Sequence, residues 1–154
     1  LIPFIQGATD VICIQQQYIV AGKGVMELLA ALAQKRQEGK TIRILVSPKF
    51  PEYWQRSIDT LKAAGLGDCL RASNLKFVVH CHNKGVLIDD RYTVVSSTNW
   101  SESSVTQARE AGLLVDSTQV AAYYREVFDF DWRVSIDPAE VKSSFAVVDR
   151  ADEH

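Results

Sequence analysis

No apolar run in this 154-residue chain approaches the roughly 20 residues that cross a bilayer, so a spanning helix is not expected. The amino terminus also lacks the charged-then-apolar pattern of a secretory signal, which predicts a soluble domain and leaves its localisation open. The chain begins without methionine, inside the run Leu1-Ile2-Pro3-Phe4-Ile5, as expected of an excised domain or processed product. Cysteine is scarce: Cys13, Cys69 and Cys81 are odd in number and lack paired metal-ligand spacing, which argues against a disulfide scaffold. Cys13 and Cys81 are expected to sit reduced in strands. Basic charge is not in excess either, since 17 Lys and Arg face 19 Asp and Glu for a net −2. That excludes coating nucleic acid through overall positive charge and leaves a local basic cleft open. No internal repeat or low-complexity segment is present.

What remains is ordinary globular composition, 47% hydrophobic and 23% charged, enough for one domain with a substantial core. Residues 11–17 read as a strand. Residues 23–38 carry apolar side chains at 25, 28, 29 and 32, a helical stripe that Gly39 is placed to end. Residues 41–47 form a β-branched run, and beyond Pro48 and Pro51 a second helix puts Trp54, Ile58 and Leu61 on one side, closed by Gly65 and Gly67. Then a meander is predicted, with strands over 75–80, 84–89, 92–97 and 111–115 and a tight turn at Asp89-Asp90-Arg91. Several of these are uniformly apolar, as buried central strands are. Asp116 or Ser117 can cap a helix whose stripe holds Val120, Tyr124, Val127 and Phe128. The alternation predicts an α/β fold, a mixed sheet between helical layers, over residues 1–135, with 136–154 a polar C-terminal extension.

The chemistry concentrates in His82-Asn83-Lys84-Gly85-Val86-Leu87-Ile88-Asp89, an imidazole and an ammonium two residues apart with a carboxylate five further on. In an extended segment His80, His82 and Lys84 project to one face, while Cys81, Asn83 and Gly85 point away. A nucleophile and a phosphate clamp would then share a surface. The β-branched run Tyr92-Thr93-Val94-Val95 leads into Ser96-Ser97-Thr98-Asn99, where the same parity pairs Ser97 with Asn99.

These residues resemble the HKD signature of the phospholipase D superfamily, H-x-K-x4-D followed by G-S-x-N, through His82, Lys84, Asp89, Ser97 and Asn99. Glu110 falls where that family often carries an acidic residue before its next strand. Ser96 departs from the pattern, standing where the family has glycine, and no chemical group is lost by it. The resemblance implies the α/β/α fold of the family and a metal-independent reaction without cofactor. His82 would be the nucleophile, since a neutral imidazole can attack phosphorus and a phosphohistidine divides one hard displacement into two easier ones. Lys84 and Asn99 would bind substrate and stabilise charge on the nonbridging oxygens, with Ser97 adding a hydrogen bond or else capping a turn. Glu110 would orient His82, in the manner of the third member of a triad, or form a surface pair with Arg109. Asp89 belongs to the motif in a role more structural than catalytic. The pair His80-x-His82 invites a metal reading, but Cys81 faces away and no further histidine lies nearby in sequence.

One motif is half of a site. A double displacement needs a second group to protonate the leaving oxygen and then activate water. Either two identical chains pair, each giving His82, Lys84 and Asn99, or a second motif lies elsewhere in a longer chain. The expected substrate is a phosphodiester, phospholipid or nucleic acid, processed by hydrolysis or phosphatidyl transfer. An endonuclease acting as a homodimer and a noncatalytic assembly module of a larger protein are the alternatives. Tyr53, Trp54 and Trp100 are candidates to line an entry or to pack a core.

Overall fold

The computed structural model describes residues 1–141. Its elements run α1 (Ile2–Gln6), β1 (Val11–Gln16), α2 (Lys23–Gln37), β2 (Thr41–Val46), α3 (Pro51–Ala63), β3 (Leu70–Ala72) and β4 (Gly85–Ile88). They continue with β5 (Tyr92–Ser96), α4 (Glu102–Thr106), β6 (Gly112–Asp116) and α5 (Thr118–Arg133). Two short 3-10 turns, Gly67–Cys69 and Pro138–Glu140, complete the set.

Period-two burial assembles the sheet. Even-numbered Ile12, Ile14, Ile44, Val86 and Ile88 share one buried cluster with Leu29 and Leu32 of α2 and Trp54 and Leu61 of α3. Odd-numbered Val11, Cys13, Leu45 and Leu87 face the other way, onto Ala121 and Phe128 of α5. Both sides of β1 are thus covered, and all its residues are buried. Each fully enclosed leucine, such as Leu29 or Leu61, contributes about 1.5–3 kcal/mol of burial.

The six strands lie in the order β3-β2-β1-β4-β5-β6. β1, β2 and β3 are parallel, with Ile14 opposite Ile44 and Ile44 opposite Leu70. β4 runs antiparallel to β1, pairing Cys13 with Leu87 and Gln15 with Gly85, and β5 and β6 continue antiparallel. Helices α2 and α3 are the crossovers between parallel strands and share a face, as right-handed connections require. Both end as anticipated: Gly39 and Gly65 take left-handed φ of 81° and 72°. The following N–H groups, of Lys40 and Leu66, reach back to the carbonyls of Lys35 and Leu61 at 3.0 and 2.8 Å. Asp89 and Asp90, both at φ 52°, make the mirror-image turn that matches strand twist, closed by Arg91 N–H on the Ile88 carbonyl at 3.1 Å. Ser117 caps α5 by accepting from the Val120 N–H.

Three expectations are corrected. Residues 75–80 are not a strand: the chain leaves β3 at one sheet edge and must reach β4 beyond β1, three strand spacings or about 14 Å away, so residues 73–84 are spent crossing strand ends. The strand at that edge is instead the three-residue β3, too short for a pattern to reveal. β6, one of the four strands of which several were expected to be buried and central, is the opposite edge, and Leu113 is 71% exposed there. The extension expected from residue 136 begins inside the body, because Ile136 bridges Ala72 and Val141 is buried in the main cluster. The polar tail at 149–154 lies outside the described residues.

Candidate active site

His82 and Lys84 lie where β1 ends and β4 begins. The crossing segment brings His82 there as an exposed side chain just before β4. Its ring lies edge-on to His80 at 5.3 Å, and His80 in turn packs edge-on against Phe50 at 5.8 Å. His80 also meets the Gln17 carboxamide at 3.2 Å. Burial, then the nearby charges of Lys49, His82 and Lys84, lower the pKa of His80 from the ordinary imidazole value.

Lys84, two residues on, is only 5% exposed. Its ammonium donates to the His82 carbonyl at 2.7 Å and to Gln17 Oε1 at 3.5 Å. Burial pushes its pKa below the ordinary lysine value, partly offset by Cys81 and Glu110. His82 is fastened on both flanks. The Gln15 carboxamide donates to Cys81 Sγ at 3.3 Å and to Asp131 Oδ2 of α5 at 2.9 Å, and accepts from Asn83 Nδ2 at 3.3 Å. The expected alternation therefore survives in part without a strand: His80 and Lys84 address Gln17, while Cys81 and Asn83 address Gln15.

Asn99 donates to the Tyr18 hydroxyl at 3.1 Å, and its buried Oδ1 has no partner among the described residues. Tyr18 stacks on Tyr53 with centroids 4.5 Å apart, which puts Tyr53 at the rim; Trp54 and Trp100 are core residues instead. Ser97 donates to the Glu110 carboxylate and ties itself to Ala111 of the neighbouring segment. Glu110 is thus engaged by Ser97 rather than by the His82 ring, which corrects the expected contact. Ser96, the departure from glycine, needs no left-handed backbone; its hydroxyl accepts from the Thr98 N–H at 2.9 Å.

Asp89 is not brought to His82. It lies at the far end of β4, about five residues or 17 Å along the strand from Lys84. There its carboxylate accepts the N–H groups of Thr9, Asp10 and Val11 at 2.6, 2.9 and 3.0 Å, and the Thr9 hydroxyl at 3.0 Å. Burial opposes its ionisation, but those four bonds override it and hold the pKa below the usual value. Its work is to pin the hairpin to the start of β1, so its place among the catalytic residues is withdrawn.

Two cavities flank Lys84. One of about 380 Å³, between the sheet and α5, is lined by His82, Asn83 and Lys84 and walled by Val95, Tyr124 and Phe128. The other, about 400 Å³, lies on the opposite face and is lined by Lys84, Glu110 and Gln16. Sequence reading missed the three glutamines that organise this region. The available signal was the run Gln15-Gln16-Gln17 itself, consecutive carboxamides closing an otherwise apolar strand and all buried. Polar side chains enter such a strand with hydrogen-bonding work to do.

The comparisons with known proteins agree with this fold. The family described as "Cardiolipin synthase, PLD-like domain" matches residues 1–132. A mitochondrial cardiolipin hydrolase of Danio rerio is 25% identical over 117 residues, which cover 76% of this chain and 50% of that protein, so the chain spans about half the length of this curated relative. Among solved structures, NucT from Helicobacter pylori superposes with a TM-score of 0.72 at 17% identity, covering 88% of this chain and 86% of that one. Nuc from Salmonella typhimurium, a phospholipase D family member, gives 0.70 at 15% identity over the same shares, 88% and 86%. With the motif, the mixed six-stranded sheet and the family match in agreement, the chain belongs to the phospholipase D-like family.

Proposed function

We propose that this domain cleaves phosphodiesters through a covalent phosphohistidine on His82, without metal or cofactor, in a site completed by a second motif. Enzymes of the family are phosphodiesterases or phosphatidyl transferases. The observation that carries the reading is the pairing of an exposed imidazole with a nearly buried ammonium two residues away, both lining one cavity. A cation already stripped of water binds a nonbridging phosphate oxygen strongly, because low local dielectric magnifies the attraction. In the first displacement the His82 nitrogen bonds to phosphorus and the leaving oxygen departs with a proton. That proton comes from the partner motif's histidine, which then takes one from water to release the phosphate. Asn99, held through Tyr18, and Ser97 would add donors to the same oxygens. Glu110, engaged by Ser97, would act on His82 only after rearranging when substrate or the second motif arrives.

The second motif comes either from another copy of the chain or from a part of a longer protein. The apolar wall of Val95, Tyr124 and Phe128 beside His82 favours a phospholipid over a nucleic acid as substrate, and the names of the family and of the curated relative, both built on cardiolipin, point the same way. Hydrolysis of a chromogenic diester in excess EDTA, followed across size-resolved fractions, tests the reading. Turnover confined to a dimer fraction and abolished by His82→Ala is expected. Turnover that survives that substitution would remove His82 from the reaction.

A further inference from the structure

The segment that crosses the strand ends ahead of His82 exposes apolar side chains for which the reaction has no use. Phe77 is 60% exposed and Val79 75%. Their turn is nonetheless tied down. The Asn74 carbonyl accepts the N–H groups of Phe77 and Val78, both at 3.0 Å. The Asn74 side chain accepts the Lys76 N–H at 3.1 Å and donates to the Val134 carbonyl, at the C-terminal end of α5, at 3.0 Å. Ordering a segment costs conformational entropy, and the apolar burial that would offset it is not made within the domain.

The exposed side chains form one rim. Phe77 meets Phe130, also exposed, edge-on at 6.3 Å. Three residues on, at most about 11 Å of chain, His80 packs edge-on against exposed Phe50 at 5.8 Å and against His82 at 5.3 Å. The rim therefore runs from α5 past Val79 to the start of α3, with His82 beside it. Single exposed apolar residues are ordinary, whereas a continuous set marks a contact surface.

Charge decides what that surface meets. Lys76 lies within the turn, Lys49 precedes Phe50, and Arg133 stands over the Phe130 ring at 5.5 Å. None of the three has a salt bridge among the described residues. Asp129 and Asp131 of α5, by contrast, are committed to Arg43 and Gln15. With Glu52 of α3 as the counterweight, the rim carries net positive charge. Apolar groups flanked by unpaired cations match the boundary of an anionic bilayer, where rings and aliphatic side chains enter the acyl layer and the cations stay with the phosphates. A nucleic acid would use the cations but offer Val79 no stacking partner's reward. A second copy meeting this rim with its own would set like charges together.

We propose that residues 76–79, with Phe50 and Phe130, form a docking surface for a bilayer containing anionic phospholipid, which seats the His82 site against the membrane. The proposal rests on the phospholipid reading for its purpose, and not for the binding itself.

Co-sedimentation with vesicles tests it, using phosphatidylcholine alone and phosphatidylcholine mixed with phosphatidylglycerol. The His82→Ala protein is the host, so that lipid turnover does not enter. Preferential sedimentation with the mixed vesicles is expected, weakened at least tenfold by Phe77→Ser combined with Val79→Ser and several-fold by Lys76→Glu, with thermal unfolding verifying each fold. No sedimentation, equal sedimentation with both vesicles, or sedimentation undiminished in the variants would overturn the proposal. So would retention of a single-stranded oligonucleotide, lost in the same variants, by a protein that leaves vesicles unbound. With His82 intact, Phe77→Ser combined with Val79→Ser should leave turnover of a water-soluble chromogenic diester unchanged. Absence of that turnover in the native chain, with vesicle binding present, would sink the phosphodiester reading and leave the docking surface standing.

Discussion

At the scale of single residues, two ionisable groups make opposite predictions. Lys84 is buried, and its pKa is depressed, so it loses its proton at lower pH than an exposed lysine. A rate that needs its charge should fall on the alkaline side before the ordinary lysine value is reached. Lys84→Arg, which does not titrate in that range, should flatten that limb while lowering the plateau; the pH dependence of kcat/KM checks this. Between the depressed pKa and the ordinary one the unfolded chain binds more protons at this position than the folded one, so stability rises with pH there. Lys84→Met should accordingly be inactive yet melt no lower than the native chain. Asp89 works in the other sense. Its pKa is depressed by bonds to Thr9, Asp10 and Val11, so the stability it contributes is complete above the unfolded value near 3.8 and is lost as pH falls through the folded one. Asp89→Asn should cost about 1.5–3 kcal/mol at pH 7 and progressively less as pH falls below the unfolded value, read by denaturant unfolding across an acid series. The motif residues were legible because few other chemistries need a histidine and a lysine at that spacing. The glutamines were not, because their partners, among them Cys81, Asn83 and Asp131, are up to 116 positions away and no local pattern announces them.

At the scale of elements, legibility followed local signals. Gly39, Gly65, Ser117 and the Asp89-Asp90 turn fix chain direction through short-range geometry, and each appeared where its residue type indicated. Replacing Ser117 by Ala should lower stability by about 1 kcal/mol, measured by thermal unfolding, since it leaves a first-turn N–H of α5 without its cap. An unchanged melting temperature would mean that tertiary packing, not the cap, sets that boundary. Residues 75–80 misled because hydrophobic β-branched side chains describe a strand only when a partner edge is within reach. Here Phe77 and Val79 are exposed on a segment that crosses strand ends, with Phe77 touching Phe130 of α5 edge-on at 6.3 Å. β6 misled for the same reason: whether an apolar strand is central or at the edge depends on the order of pairing, which a single sequence does not contain.

At the scale of the whole molecule, the chain carries one histidine motif, and the double displacement proposed for it would need two. If identical chains share a site that requires both His82 side chains, mixing wild type with His82→Ala in equal amounts under exchanging conditions leaves about a quarter of the dimers intact. Specific activity should then fall toward that fraction rather than toward half. Activity that stays at half would mean that each chain works alone or completes its site from its own longer sequence. Substrate choice belongs to this scale too. A phospholipid should be turned over with a rate that follows interface composition, whereas nucleic-acid binding would weaken steeply with salt.

The covalent phosphohistidine is the claim on which the rest depends. Rapid acid-free quenching during turnover of a diester, followed by mass spectrometry of peptides spanning residues 80–90, measures it directly. The account predicts a phosphoryl adduct on His82 that forms and decays with turnover and is absent in His82→Ala. Steady turnover by the native chain with no adduct at His82 at any time point would contradict it.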